Sequence, residues 1–522
     1  MTPHNTLTLK RLMRSTLARS LSYVRYNKQR DCEYIDPIEK RTINAHYGAT
    51  HLAAALLQHS IFDEDDRDSH VAIDLLRSIL ASWNESKKQG NFHHDFNNFA
   101  LCVAFDRLPD NENELRVRIR EVVINTPDSS HMTINWLPMR MYVNQKRYDW
   151  SQKPDYLREV DRLSQIVSEA TNPDGSIEDM LPKGTSYNLQ YNIATLAGLQ
   201  FWAIATGNHL NLSRKLAFLM ERVLPDGDVN YQGRGTNQVF AWGPWIYLLA
   251  TSGQDEMLTH CLGYFGSRLN RALENDNIFL NDVQGTERHL WWDYHFGSVY
   301  IAHLAFWLAL ALAHRDCRPE ISRPEVNAKG HLDSVKSKNA HVCVYSGSSM
   351  YPAEFGPAVN AIWVRNFGML AKASLGPWGG LFGNLYSKPE VVVRNFIGLI
   401  ELKTEIKLYP RKLLERAPFL PMPGPSEKIK PSFLNVSIDM SEYELKMTYK
   451  NSRMKNLFFN MPSLIEYQRC PIITAVADGM SLDLFCNTKI KTQYGWCDLI
   501  QTKAVKAAEW QIKINFKSQS FL

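Results

Sequence analysis

The chain has 522 residues, of which 44% are hydrophobic and 22% charged, with a formal charge of +5. That length exceeds one ordinary core, and that apolar content belongs to a folded chain rather than a disordered one, so two domains are expected. A charge of +5 over 522 residues is too diffuse for a nucleic-acid footprint; the densest basic run, KLYPRKLLER at 407–416, is short and carries a glutamate.

The N-terminal MTPHNTLTLKRLMRSTLARSL lacks the apolar core of roughly 7–15 residues that a secretory leader needs. The eight cysteines include no CxxC pair, which argues against a structural zinc site or a disulfide scaffold and leans toward a reducing compartment. A cytoplasmic location is therefore expected. The most apolar run, IAHLAFWLALALAH at 301–314, is too short to span a bilayer and carries histidines, so it reads as a buried helix.

From residue 46 onward, apolar residues recur at three- and four-residue intervals in HYGATHLAAALLQHSIF (46–62), HVAIDLLRSILASWN (70–84), YLREVDRLSQIVSEA (156–170) and YNIATLAGLQFWAIA (191–205). The same period continues through LSRKLAFLMERVL (212–224), WIYLLA (245–250) and YHFGSVYIAHLAFWLALALAH (294–314). NPDGSIED at 172–179 and LPDGDVNY at 224–231 repeat a Pro-Asp-Gly turn between a charged helix and an apolar one. QGNFHHDFNNFALCVAF (89–105) and the stretch from 281 follow the same plan. Outer helix, loop and inner helix as one unit predict stacked helical hairpins. Closed on themselves, these make a ring of inner helices inside a ring of outer ones, with the polar loops gathered at one end; an open solenoid gives a similar signal.

After residue 319 the texture changes. The polar stretch 321–341 reads as a linker, and period-two runs follow in VSIDMSEYELKMTY (436–449), SLDLFCNTKIK (481–491) and WQIKINF (510–516), with EVVVRNFIGLIELK (390–403) as a more buried strand. The expected architecture is α+β and multidomain: a helical toroid, complete or incomplete, over 1–320, a linker over 321–341, and an antiparallel β-sandwich over 342–522.

Four loops concentrate the chemistry. INW at 134–136 offers Asn135 as a cap or an amide ligand and Trp136 as a packing or stacking ring. SYNLQYN (186–192) places Tyr187 and Tyr191 four apart, on one face if the helix has begun; phenols carry protons when their environment tunes them, and otherwise simply pack. GRGTNQ (233–238) sets Arg234 between glycines, with Asn237 and Gln238 as neutral donors. It lacks the last glycine and the preceding strand of a dinucleotide loop, and no cofactor is expected. RHLWWDYHFG (288–297) supplies Arg288, Trp292, and Asp293 with His295 as a base and its orienting partner. HHD at 93–95 with His295 is imaginable as a metal site, but no HExxH-like spacing supports it and no metal is expected.

INWLP (134–138), PDGS with the later SYNLQYN, PDGDVNYQGRGTNQVFAWGPW (225–245) and WWDYHFG (291–297) together resemble the (α/α)-toroid polysaccharide lyases, including the heparinase II/III-like and the alginate or chondroitin lyase groups. The resemblance spans most of the chain in architecture and only short stretches in motif. It implies β-elimination beside a uronic acid of an anionic polysaccharide. A group must neutralise the C5 carboxylate, a base must take the α-proton, and an acid must protonate the departing O4. Carried over, it makes Asn135 the neutraliser, Tyr187 or Tyr191 the acid or base, His295 the partner base and Arg234 a steering cation. Asn237, Gln238, Trp136, Trp292 and Arg288 become substrate contacts. Several relatives set a histidine beside the tyrosine where this chain has Asn188 or Asn192.

Two alternatives stay open. An (α/α)-barrel glycoside hydrolase needs two carboxylates roughly 6.5–9.5 Å apart for inversion, and Asp95, Asp174, Glu178, Asp226 and Asp293 all fall in expected end loops. A non-catalytic glycan-binding protein would keep the aromatics without a tyrosine–histidine pair.

Overall fold

The computed structural model describes residues 1–27, 31–43, 46–63, 66–88, 93–181, 187–232, 237–274, 296–317, 332–345, 358–372, 385–388, 391–393, 434–451, 456–457, 459–487, 489–492, 495–503 and 505–516. Among them lie twelve α-helices: α1 (Pro3–Leu21), α2 (Gly48–Asp63), α3 (Asp66–Lys87), α4 (His94–Phe105), α5 (Asn113–Asn125), α6 (Leu137–Ser151), α7 (Pro154–Ala170), α8 (Leu189–Thr206), α9 (Ser213–Glu221), α10 (Trp242–Thr251), α11 (Asp255–Glu274) and α12 (Gly297–Ala313).

The even-numbered helices form a closed ring. Each packs on the next, from α2 through α4, α6, α8 and α10 to α12, and α12 packs back on α2. The odd-numbered helices back them: α3 on α2, α5 on α4, α7 on α6, α9 on α8, α11 on α10, and α1 on α12. Composition explains the two layers. Every residue of α10 is buried, as is α12 from Gly297 to Leu312, because an inner helix meets protein on all sides. In α7 only Val160, Leu163, Val167 and Ala170 are buried, a single stripe three to four residues apart, as an outer helix requires. The ring is thus complete, and the helix that finishes the outer layer is the first in the chain.

The Pro-Asp-Gly repeat has a common geometry. Gly175 and Gly227 take φ of +96° and +94°. Asp174 Oδ1 accepts from the Ser176 amide at 3.0 Å, and Asp226 Oδ1 from the Asp228 amide at 3.1 Å. A Cβ on Gly175 would lie 2.6 Å from the Arg214 carbonyl oxygen, and one on Gly227 would lie 2.9 Å from Tyr264 Cβ. Both glycines therefore serve a left-handed turn pressed against the next outer helix.

Downstream, Leu332–Lys336, Ala340–Tyr345, Ala358–Val364 and Gly368–Lys372 form a four-stranded antiparallel sheet in chain order. A five-stranded antiparallel sheet runs Met480–Leu482, Ile472–Ala477, Glu509–Asn515, Glu444–Asn451, Leu434–Met440. Val342, Ile362 and Leu370 from the first share a core with Met447, Trp510 and Ile512 from the second. The alternation in WQIKINF is realised, with Trp510, Ile512, Ile514 and Phe516 buried. The stretch 321–341 differs from a plain linker. It holds strand Leu332–Lys336, whose own apolar pattern is weak and which is recruited by pairing with Ala340–Tyr345. Of the strand expected over 390–403, Val391–Val393 is a strand paired with Leu385–Lys388, and 394–403 lie outside the described residues.

Sheet and ring are stitched together by buried polar contacts. Arg222 donates to the Leu332 carbonyl at 2.8 and 3.1 Å, and the Tyr231 hydroxyl donates to Cys343 Sγ at 3.2 Å. Lys372 Nζ lies 2.6 Å from Asp228, 3.0 Å from Asp226 and 3.2 Å from the Tyr264 hydroxyl. Among the described residues no helix is long and apolar enough to cross a membrane.

Candidate active site

Each outer helix carries the chain back, so the inner helices start at one end of the ring. The residues just before them meet there. Phe296, ahead of α12, packs on His46, ahead of α2; His46 packs on His93, which caps α4; and His93 packs on Trp136, which caps α6. Convergent helix N-termini direct the positive ends of their dipoles toward one place, which favours an anion, although the Ser298 amide of α12 already donates to Asp36 and the Gln190 amide of α8 to Asn188.

The mouth has three levels. At the rim His46, His93, Trp136 and Phe296 are half-buried and His131 is exposed. Below them Tyr47 stacks on Phe96 with centroids 4.3 Å apart and lies within electrostatic reach of Tyr191, in the first turn of α8. Deeper, His51 and His303 face each other at 5.3 Å, and His303 stacks flat on Phe240 at 4.4 Å.

The protonation of this mouth follows from burial. Burial holds the Tyr47 phenol well above its usual range, with Tyr191 adding to the effect. His51 Nδ1 lies 2.9 Å from the Tyr47 carbonyl oxygen. A carbonyl only accepts, so Nδ1 carries the proton and Nε2 keeps a lone pair. Burial pushes His51 down to about 3, opposed by that bond, and drives His303 well below the imidazole range, with His51 adding. His93 falls to about 4 through burial, with His131 and His94 contributing. At neutral pH these three imidazoles are uncharged, His93 above the protonated Tyr47 phenol and His51 and His303 below it.

Asn135 sits in the short 3-10 turn Ile134–Trp136, which packs against α8 and is pinned by the Ile134 amide donating to the Asp179 carbonyl at 2.9 Å. The Asn135 side chain is buried and its Oδ1 has no hydrogen-bond partner among the described residues. Arg140, one turn into α6, holds this loop in place. Its Nε lies 3.0 Å from Asp95 Oδ1, its Nη2 donates to Asp95 Oδ2 at 3.0 Å, and it also donates to the His131 carbonyl. Burial pushes the Asp95 carboxyl up to about 6, with Arg140 opposing.

The expected site residues separate. Asn135, Trp136 and Tyr191 belong to the mouth, as does Gln238, which precedes the turn Val239–Ala241 packed on α8 and α12 and whose buried Oε1 has no hydrogen-bond partner among the described residues. Asn237 is buried in a left-handed conformation, φ +60°, and its amide donates to the Asn230 carbonyl at 3.0 Å, a turn-forming role. Tyr187 does not share a helix face with Tyr191, because Asn188 caps α8 by accepting from the Gln190 amide and the helix starts only at Leu189. The Tyr187 ring packs on Phe218, and burial raises its phenol well above the usual range; Arg222 opposes, and Asp174, Asp179 and Glu178 add. Arg234, Arg288, Trp292 and His295 lie outside the described residues.

Of the carboxylates, Asp95 is paired with Arg140 and Asp226 with Lys372, while Asp174 and Glu178 border Tyr187 and Asp293 lies outside the described residues. Among the described residues no group of three His, Cys, Asp or Glu is placed to hold a metal, and Asp95 of the HHD run is turned to Arg140. Sequence reasoning missed Tyr47, His51 and His303, and weighed His93 only as part of the HHD run. The available signal was HYGATH at the head of an otherwise Ala/Leu helix, and a histidine inside the most apolar one.

No family model and no curated protein matches the chain. Similar solved structures include the GH76A α-1,6-mannanase from Salegentibacter sp. HEL1_6, at 11% identity and TM-score 0.41, covering 58% of this chain and 99% of that one. They also include a polysaccharide lyase at 13% identity and TM-score 0.38, covering 59% and 99%, and the unsaturated glucuronyl hydrolase from Streptococcus agalactiae at 12% and 0.39, covering 60% and 93%. At these values the likeness adds nothing to the reading of the site, which rests on its own geometry.

Proposed function

We propose that the chain is a carbohydrate-active toroid enzyme that takes a uronate-containing polysaccharide at the mouth of its inner helices and cleaves it by β-elimination. The observation that carries this reading is the make-up of the mouth. Phenols, neutral imidazoles and buried amides line it, while Asp95 is neutralised by Arg140 and Asp226 by Lys372. The two sheets sharing one core support reading the C-terminal part as a β-sandwich.

In the proposed reaction the Asn135 amide and the helix N-termini stabilise the C5 carboxylate as charge builds on it. A base removes the C5 proton, the freed electron pair forms the C4–C5 double bond, the C4–O4 bond breaks, and O4 takes a proton from an acid. Tyr191 is the candidate acid, within reach of Tyr47. A neutral imidazole is the candidate base; His295, which directly precedes Phe296 of the rim, is retained in that role. Arg234, Arg288 and Trp292 remain candidate substrate contacts.

The test is incubation with hyaluronan, chondroitin, heparin, alginate and bacterial capsular polymers, followed by near-ultraviolet absorbance of the unsaturated uronate. New reducing ends without absorbance would favour a second reading, hydrolysis, motivated by the cluster of Asp174, Glu178 and Asp179 around Tyr187. In that case Asp174→Asn or Glu178→Gln, rather than Tyr191→Phe, abolishes turnover.

A further inference from the structure

We propose that the rim is a binding track for several consecutive residues of an acidic sugar chain, running around the mouth along the starts of α12, α2, α4 and α6. It rests on the reading given above and extends it from a reaction centre to a polymer-binding surface. Five rings follow one another in single file: Phe296 to His46 at 4.6 Å, His46 to His93 at 4.2 Å, His93 to Trp136 at 5.8 Å, and Trp136 to His131 at 5.7 Å. None of the five is fully buried, and His131 is exposed. The row is backed from below by Tyr47 and Phe96, which contact His93 at 5.5 and 6.0 Å and so hold it against the ring.

This form selects its occupant. A file one ring wide, in which three of five rings are imidazoles, is too narrow and too polar for a packed protein interface. It suits a chain of pyranoses, whose apolar faces stack on rings while their hydroxyls meet imidazole nitrogens. The helix N-termini beneath the row add positive potential; it is offset at α12 by Asp36, which accepts from the Ser298 amide, but not at α4, where Arg140 neutralises Asp95, so an acidic chain is preferred to a neutral one.

The experiment is affinity electrophoresis of the full chain through gels containing hyaluronan, chondroitin, heparin, alginate or neutral α-mannan. It is followed by calorimetric titration with oligosaccharides, from disaccharide to decasaccharide, of each polymer that retards migration. The expected result is retardation by at least one acidic polymer and not by mannan, with affinity climbing as the oligosaccharide lengthens. The double variant His131→Ala/Trp136→Ala weakens binding of the longest oligosaccharides by about tenfold, clearly more than it weakens the disaccharide, while Trp136→Phe behaves as the parent chain. No retardation by any acidic polymer, equal retardation by mannan, affinity independent of length, or an unaltered double variant overturns the track. Length-dependent binding without unsaturated product sustains the track and sinks the elimination reading; unsaturated product with length-independent binding does the reverse.

Discussion

Replacing Lys372 by methionine keeps the length and apolar stem of the side chain and deletes only the ammonium that joins the four-stranded sheet to the helical ring. The Asp228 side chain is 2% exposed and would be left as a buried carboxylate, still accepting from the Tyr264 hydroxyl at 3.1 Å and the Asn230 amide at 2.9 Å. The Asp226 side chain, 23% exposed, would turn to water. Breaking a buried ion pair from one side costs about 3–5 kcal/mol, and the two surviving donors place this case at the lower end, about 3 kcal/mol. Adding Asp228→Asn removes the stranded charge and recovers about 2 kcal/mol of that loss. Urea unfolding followed by tryptophan fluorescence reads the change, since Trp242 stacks on Tyr264 at 5.5 Å and reports on this corner. A loss below about 1 kcal/mol for Lys372→Met, or a double variant no more stable than the single, refutes the reasoning.

Tyr191→Phe lowers turnover of the polymer that yields unsaturated product by about a hundredfold while leaving the unfolding midpoint in place; an unchanged rate removes Tyr191 from the reaction. His51 titrates near 6.5 when unfolded and near 3 in the fold, so the unfolded chain binds the extra proton between those values. The stability it lends is complete above about pH 6.5 and drains away as pH falls toward about 3. Acid unfolding of His51→Gln, followed by circular dichroism, therefore shows a shallower decline over that window, and an equally steep one contradicts the assignment. Gly175→Ala loses clearly more stability than Gly207→Ala. Both residues have positive φ, but only at Gly175 does a Cβ strike backbone, at 2.6 Å, whereas at Gly207 nothing lies within 4 Å. The open site costs about 1 kcal/mol and the crowded one several times that, and equal thermal shifts would show the contact to be irrelevant.

The helices and the late strands were legible because their periods are strong. Val160, Leu163 and Val167 mark the stripe of α7, and Trp510, Ile512 and Ile514 mark the face of a strand. Ring closure was not legible, because it is a contact between α2 and α12, far apart in sequence, and no local pattern encodes it. The site was half legible. Asn135 and Trp136 stood out as polar and aromatic residues at a helix start, and they are in the mouth. A shared face for Tyr187 and Tyr191 required the helix to have begun, and it has not, because the Asn188 cap falls between them. His51 and His303 were hidden by their surroundings, because a histidine among alanines and leucines looks like core until the fold sets two of them face to face.

The α2–α12 contact also bears on how the molecule is made. Translation delivers α2 early and its flanking partner only after the entire span from Asp63 to Gly297 has emerged. Throughout that interval one apolar flank of α2 stays uncovered, which makes closure slow and aggregation-prone on a nascent chain. A polypeptide stopped short of Gly297 would form a sticky crescent rather than a smaller ring.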